Sequence, residues 1–515
     1  MTHDIGKESI AFIETPDEVA KLMVSLISTE YKNQKEVQVL DSGCGRGVFL
    51  EQLLADKYSN IEGIELDNEL IKICKSKFPQ IKFYHEDYLD WEPKEKYDII
   101  IGNPPYAHYN SLPSEVQEKV VKIVSSKESD IYYAFILKSI DLLKDGGELI
   151  YIVPYGFFYN TFAKIVRKKI ISEGFLYAVI DLDEIRLFEG ENPETIIFKF
   201  KKTKPDERDK TQILRIVSRK ISKKDILEKG LDSIKSKESN DAFFYYEKPI
   251  FIDSDSIWTT YPEILIETSI SLKEVAWIGV GLVSGFDRAF IISNEEIMSL
   301  NEDERKFIIR SVKASHCKAY WTEGCTNYIL IPDDLNSEEI LRNRYPNIYK
   351  KISDFKEKMN DRFLPSNKKW FQWQALRNYK HFLDYLDKPK IYIPTLDRSK
   401  YNRFSLSDEE LLPSGDILTI VPLIIDPFFL LGYLNSNFFR EYYLSAGARR
   451  GHRIAFTQRI MSNIQIPLFT KEVEKEIASI TQQILKIKDV SRKKEIETLI
   501  QNSFKEKHFR KLIDK

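Results

Sequence analysis

The sequence predicts an α/β chain with a largely parallel sheet covered on both faces, followed by a second domain of α+β character. Two observations predict it. Up to about residue 200, short β-rich runs alternate with helical runs at the spacing of βαβ units. Beyond about residue 246 that alternation stops, after a charged stretch with little apolar periodicity. In order, Val37–Leu40 reads as a strand, Asp41–Gly47 as a glycine-rich loop and Val48 to about Lys57 as an amphipathic helix. Ile61–Leu66 is a strand, Asn68–Phe78 a helix, Ile81–Tyr84 a strand and Tyr97–Ile101 another. Tyr132–Leu143 is a helix closed by Lys144-Asp145-Gly146-Gly147, with strands at Leu149–Val153 and Thr195–Phe200. Residues 201–245 read as a charged linker or peripheral region, which sets the domains at 1–245 and 246–515. The second domain mixes helices with β-like runs at Trp277–Val283, Ala289–Ser293, Tyr328–Pro332, Ile391–Pro394 and Leu418–Ile425. Lys471–Lys515 reads as an amphipathic helical pair.

The 515 residues are 43% hydrophobic and 12% aromatic, enough for two or three buried cores. No apolar run approaches the ~20 residues that span a bilayer, and Met1-Thr2-His3-Asp4 lacks a secretory pattern. Cys44, Cys74, Cys317 and Cys325 form no CxxC pair, so neither a disulfide framework nor a zinc site is expected. The reading is a cytoplasmic protein. A net charge of −2 advertises no global basic field, so any nucleic-acid surface is expected in one cleft.

Asn103-Pro104-Pro105-Tyr106 ends the apolar run Tyr97–Gly102 and is the most informative feature. Two prolines fix φ and remove two backbone donors, and Asn103 is pushed out of the helical region. The turn holds an amide, free carbonyl oxygens and an aromatic face in set geometry, which suits a planar exocyclic amine. Asp41-Ser42-Gly43-Cys44-Gly45-Arg46-Gly47 has G-x-G-x-G spacing, unlike the dinucleotide fingerprint. Its opening acid suits a cationic, amino-acid-bearing nucleoside such as S-adenosylmethionine. Glu65 ends the second strand, where it can take both ribose hydroxyls, and Asp87 lies just past the third, placed for an adenine amino group. A plain strand–helix turn and solvated strand ends are the bland alternatives. Three acids at successive strand ends, joined by Asn-Pro-Pro-Tyr, outweigh them.

With these motifs the chain resembles the N6-adenine DNA methyltransferases of the gamma arrangement, the TaqI- and Eco57I-type modification enzymes. Thr15-Pro16 with Val19–Ser25 resembles the segment that touches the cofactor's methionine part. Asp41–Phe49 resembles D-P-A-C-G-S-G-x-F, with Ser42 for Pro and Arg46 for a small residue. Asp130–Phe135 with Leu142–Gly147, and Leu187-Phe188, match further segments. Gly279–Phe290 and Leu431–Ser436 resemble parts of the target-recognition domain. The resemblance implies a mixed, mostly parallel seven-stranded methyltransferase sheet, with S-adenosylmethionine held by Thr15, Asp41, Gly43, Cys44, Gly45, Glu65, Asp87, Tyr88 and Asn103. It also implies that an adenine is flipped out of duplex DNA. Asn103 and the Pro104 carbonyl would then accept its N6 hydrogens, with Pro105 stiffening the turn and Tyr106 and Phe188 stacking on opposite faces of the base. No metal is expected.

For DNA contact, three aromatic-basic or basic stretches stand out: Lys368, Lys369, Trp370, Gln372, Gln374 and Arg377; Arg398, Lys400 and Arg403; and Arg449, Arg450 and Arg453. Arg, Lys and Gln can read base edges or neutralise phosphates; a solvated loop is the alternative for each. Asn-Pro-Pro-Tyr also serves enzymes that methylate RNA adenine or protein glutamine, but those are usually shorter. A non-catalytic DNA-binding specificity protein is a rival of another class, and the intact Asn103, Asp87 and Glu65 weigh against it. No nuclease domain is legible, so a cognate endonuclease, where present, is expected on a separate chain.

Overall fold

The computed structural model describes residues 14–487, apart from positions 33, 35, 128, 184, 186, 189–193, 219, 220, 267, 400, 451 and 452. Two compact units divide at Pro262 and Glu263. In the first, helix α1 (Asp17–Ser25) precedes β1 (Gln38–Asp41), α2 (Val48–Ala55), β2 (Asn60–Glu65), α3 (Asn68–Lys77), β3 (Lys82–His85) and β4 (Tyr97–Gly102). Then come α4 (Ser114–Val124), α5 (Ile131–Leu142), β5 (Leu143–Pro154), α6 (Lys164–Glu173), β6 (Phe175–Asp181) and β7 (Thr195–Lys201). The unit closes with β8 (Lys210–Ile216), α7 (Lys223–Ser236) and β9 (Phe243–Pro249).

These strands form one nine-stranded sheet in the order β3-β2-β1-β4-β5-β7-β6-β8-β9. From β3 to β5 the pairing is parallel; β7 runs antiparallel between β5 and β6. The expected sheet is therefore present, widened by two strands. Residues 201–245, expected as a linker, supply β8, α7 and the start of β9, so the expected boundary at 245 falls inside the sheet. Those strands pair with β6 and with each other.

Apolar residues on both faces explain why β4 is buried apart from half-buried Asp98, the signature of a parallel strand under two helical layers. Val39, Ile99 and Ile101 face the core that holds Val19, Leu22, Leu50 and Leu53. Leu40 and Ile100 face the opposite core, with Tyr132, Phe135 and Phe198. Helix α3 starts where the Asp67 carboxylate caps the Glu69 and Leu70 amides at 2.8 and 3.1 Å.

A buried ion pair fixes the segment that follows α1. Lys199 on β7 and Glu148 on β5, 2% and 0% exposed, lie 2.9 Å apart. Lys199 also donates to the Leu26 carbonyl and the Ser28 hydroxyl at 2.8 and 2.7 Å, and Glu148 accepts from the Ser28 amide at 3.0 Å. Burial pushes the Lys199 ammonium down to about 8, against the pull of Glu148.

The second unit is built on a five-stranded sheet of Ala276–Val280, Ile417–Pro422, Lys390–Pro394, Ser405–Ser407 and Tyr320–Trp321, in that order. Ala289–Ser293, expected as β-like, begins inside the short helix Asp287–Phe290, which closes when the Ile291 amide donates to the Asp287 carbonyl at 2.9 Å. Leu431–Ser436 is a packing motif. A side chain at Gly432 would meet Thr481 Oγ1 at 2.5 Å, so glycine admits the helix Lys471–Lys486. Asn435 brackets Phe404, bonding its amide and its carbonyl at 3.1 and 2.9 Å. The remainder of the expected C-terminal helical pair lies outside the described residues. Among the described residues, no helix is long and apolar enough to cross a membrane.

Glu148→Ala leaves the Lys199 ammonium buried without its carboxylate. We expect a loss of about 3–5 kcal/mol in chemical denaturation. The double variant Glu148→Leu/Lys199→Met should recover most of it.

Candidate active site

The strand order reverses between β1 and β4, and ligands of such sheets bind outside the carboxyl ends at that point. Register puts the ends together: Asp41 pairs with Ile101, and the Ser42 amide donates to the Ile101 carbonyl at 3.2 Å. The glycine loop and the Asn-Pro-Pro-Tyr turn thus leave neighbouring strands side by side. A side chain at Gly102 would meet Ser42 Oγ at 2.9 Å, so this approach needs glycine. Gly47, at φ +84°, closes the loop, its amide donating to the Cys44 carbonyl at 2.7 Å.

Asp41 is 0% exposed, and neither carboxylate oxygen meets a donor in bonding geometry among the described residues. Burial pushes its carboxyl well above the usual range, with the Gly43 amide opposing the rise. Gly43 itself faces open space. A buried acid with open acceptors beside an uncovered glycine fits a cationic ligand.

Glu65 is more committed than expected. It accepts from the Gly45, Leu66 and Asp67 amides at 2.8, 2.9 and 2.9 Å. Three of its roughly four lone-pair positions are filled, which leaves room for one further donor in place of two ribose hydroxyls. Asp87 accepts from the Leu89 amide at 2.9 Å and from Lys119 at 2.6 Å. Lys119, on α4, also pairs with Asp90 at 2.6 Å, and these bonds raise its ammonium above the ordinary lysine range. Its position in an ordinary amphipathic helix carried no signal of this role.

Two expected contacts turn inward. Tyr88 is 4% exposed, stacks on Phe135 with centroids 4.9 Å apart and bonds the Ser139 hydroxyl at 2.7 Å. That hydroxyl continues to Tyr151 and then Ser42 at 2.6 and 2.5 Å. The Tyr88 ring is therefore core and offers no face to a cofactor. Cys44 is buried against Cys74, whose Sγ donates to the Gly45 carbonyl at 3.1 Å. Arg46 reaches the other way, to Glu14 at 3.8 Å.

Asn103 is half-buried, and its Nδ2 donates to Thr15 Oγ1 at 3.0 Å. Pro104 is buried and Pro105 partly so. The Tyr106 hydroxyl donates to the Ile152 carbonyl at 2.9 Å. Its ring meets Tyr132 and Phe188 edge-on, with Phe188 at 6.4 Å and 73°. Tyr106 and Phe188 are thus not parallel plates flanking a slot. A ring laid flat on one meets the other by an edge.

The Eco57I restriction-modification methylase family matches residues 17–188. The type II methyltransferase M.MjaIV of Methanocaldococcus jannaschii is 53% identical over 244 residues, 47% of this chain and 81% of that protein. The chain belongs to the restriction-modification DNA methyltransferases. M.HindII of Haemophilus influenzae is 29% identical over 534 residues, spanning 94% of this chain and 96% of that methyltransferase. The fold of the type IIL restriction-modification enzyme MmeI, solved with DNA, matches 91% of this chain and 67% of that one at TM-score 0.58 and 12% identity. The cofactor of this methyltransferase is S-adenosylmethionine, and Asp41 with the open Gly43 is the part of the site that fits it best.

Of the basic residues picked from sequence, several are spent internally. Lys368 pairs with Asp333, and Gln372 is buried, bonding the Asp333 and Leu335 carbonyls at 3.1 Å. The Trp370 indole donates to Glu338 at 2.9 Å. Arg403 pairs with buried Asp397 at 3.0 Å, and Arg449 is buried. Lys369, Arg377 and Arg398 are exposed, and Gln374 and Arg453 half-buried. Lys400 and the Arg450 side chain lie outside the described residues.

Because Asp41 starts with a raised carboxyl, binding a cation should release a proton. S-adenosylmethionine affinity should fall as the pH is lowered through the Asp41 titration, above the ~3.9 of an ordinary aspartate. Calorimetry in buffers of different ionisation enthalpy should show the release, and Asp41→Asn should abolish it.

Proposed function

We propose that this enzyme methylates N6 of an adenine flipped out of duplex DNA at a specific site, as the modification part of a restriction-modification system. The observation that carries the reading is the adjacency of the Asn-Pro-Pro-Tyr turn to the Asp41 loop, through the β1–β4 register. Bound S-adenosylmethionine supplies an electrophilic methyl group on a sulfonium. Asp41 and Glu65 hold the donor's charged and hydroxylated parts, and Asp87 orients its adenine with Lys119 alongside.

The chemistry asked of the protein is placement. The Asn103 amide oxygen and the Pro104 carbonyl accept the two N6 hydrogens. That turns the nitrogen lone pair out of conjugation and toward the methyl group; as the nitrogen takes the methyl it gives one of those protons to water. Positioning of donor and acceptor in line supplies much of the rate. Tyr106 supplies a flat face for the base, and Phe188, only 6% exposed, backs Tyr106 edge-on from the core. Stacking worth about 1–3 kcal/mol per contact offsets the few kcal/mol that unstacking costs. Lys369, Gln374, Arg377 and Arg398 are the second unit's best candidates for touching DNA. A cognate endonuclease on a separate chain is the expected partner.

With a labelled methyl donor, wild-type protein should transfer label to unmethylated duplex DNA and not to RNA or protein. Asn103→Ala should lower the rate at least about a hundredfold, as removal of a transition-state hydrogen bond does, while DNA binding persists. Label in RNA or protein alone refutes the reading. Arg377→Ala should weaken DNA binding and reduce its salt slope by about one, whereas Lys368→Ala should act mainly on stability.

A further inference from the structure

We propose that Thr15 is a positioning residue that sets the orientation of the Asn103 amide. The inference rests on the proposed role of Asn103 and deepens it. Thr15 is 5% exposed, and its hydroxyl oxygen accepts a 3.0 Å hydrogen bond from Asn103 Nδ2. An asparagine amide has a donor end and an acceptor end, and the two are exchanged by a half-turn about its last torsion. Drawing electrons from an exocyclic amine needs the acceptor end. With the donor end on Thr15, the Oδ1 end is turned away from Thr15. Pro104 already restrains the Asn103 backbone. The side-chain torsions are the freedom that remains, and the Thr15 bond restrains them.

Thr15 is held from two sides. After it, Pro16 opens α1, its carbonyl accepting from the Val19 and Ala20 amides at 3.0 Å. Helix α1 is anchored by buried Val19, Ala20, Leu22, Met23 and Val24, and the chain just past it by the Lys199–Glu148 pair. Before it, Glu14 reaches Arg46 of the glycine loop at 3.8 Å. Glu14-Thr15 therefore bridges the cofactor loop and the catalytic turn. The exposed ion pair adds little energy, but it ties the residue beside Thr15 to the loop that holds the methyl donor. Thr15 is expected to touch the cofactor; the hydrogen bond to Asn103 adds a second role, on the amide proposed to meet the acceptor.

Thr15→Val keeps the side chain's shape and removes the oxygen; Thr15→Ser keeps the oxygen. Both are compared with wild type and Asn103→Ala for kcat on DNA, S-adenosylmethionine Kd by calorimetry, and thermal midpoint. The valine variant should lose about tenfold in kcat, the scale of one neutral hydrogen bond, with unchanged cofactor Kd and a midpoint lower by only about 2–4 °C. The serine variant should keep wild-type kcat. A valine variant with wild-type kcat, a loss confined to cofactor Kd, or a serine variant as slow as valine overturns the positioning role while leaving Asn103 catalytic. Full activity of Asn103→Ala removes the premise itself.

Discussion

Everything in the site depends on one constraint, the parallel pairing of β1 with β4 at the point where the strand order reverses. Asp41 and Asn103 are far apart in sequence, yet the Asp41–Ile101 register and the bond from the Ser42 amide set their loops side by side. Gly102 makes the approach possible, because any side chain there would strike Ser42. Beneath it, the hydroxyls of Ser42, Tyr151, Ser139 and Tyr88 form a buried chain that satisfies each polar tip inside the core.

A buried ion pair and a buried lone carboxylate divide the work. Glu148 and Lys199 answer each other and anchor the segment after α1, a structural use of ionisation whose loss costs stability. Asp41 is the converse, a carboxylate taken out of water with no cation among the described residues to compensate it. Under the proposed reading the ligand brings the missing positive charge, so desolvation becomes binding energy and specificity. Helix α1 joins the two, since the ion pair holds one end of that region and Thr15, at the other, holds Asn103.

The first unit was legible wherever burial imposed a pattern. Val39, Leu40 and Ile99–Ile101 are apolar because helices cover both faces, and the runs that hold them proved to be strands Gln38–Asp41 and Tyr97–Gly102. β8 and β9 were not legible, because the charged runs that flank them, at 201–208 and 223–240, read as linker and masked their apolar and aromatic residues. The acids at the strand ends were found from position alone, but their partners were not. Lys119 sits on a helix like any other, and the three amides on Glu65 belong to turns whose geometry no pattern encodes. Tyr88 and Phe188 show the limit for aromatics, since a ring beside a site and a ring beneath it share one sequence signature. The basic stretches failed similarly: Lys368, Gln372 and Arg403 are polar residues that the second unit consumes to tie its own loops together.

The acceptor atom is the central claim, and modified-base sequencing of DNA from a host expressing the protein tests it most directly. The account predicts N6-methyladenine confined to one sequence context and absent from the parent host. Modification only at cytosine, or N6-methyladenine with no sequence preference, would contradict it.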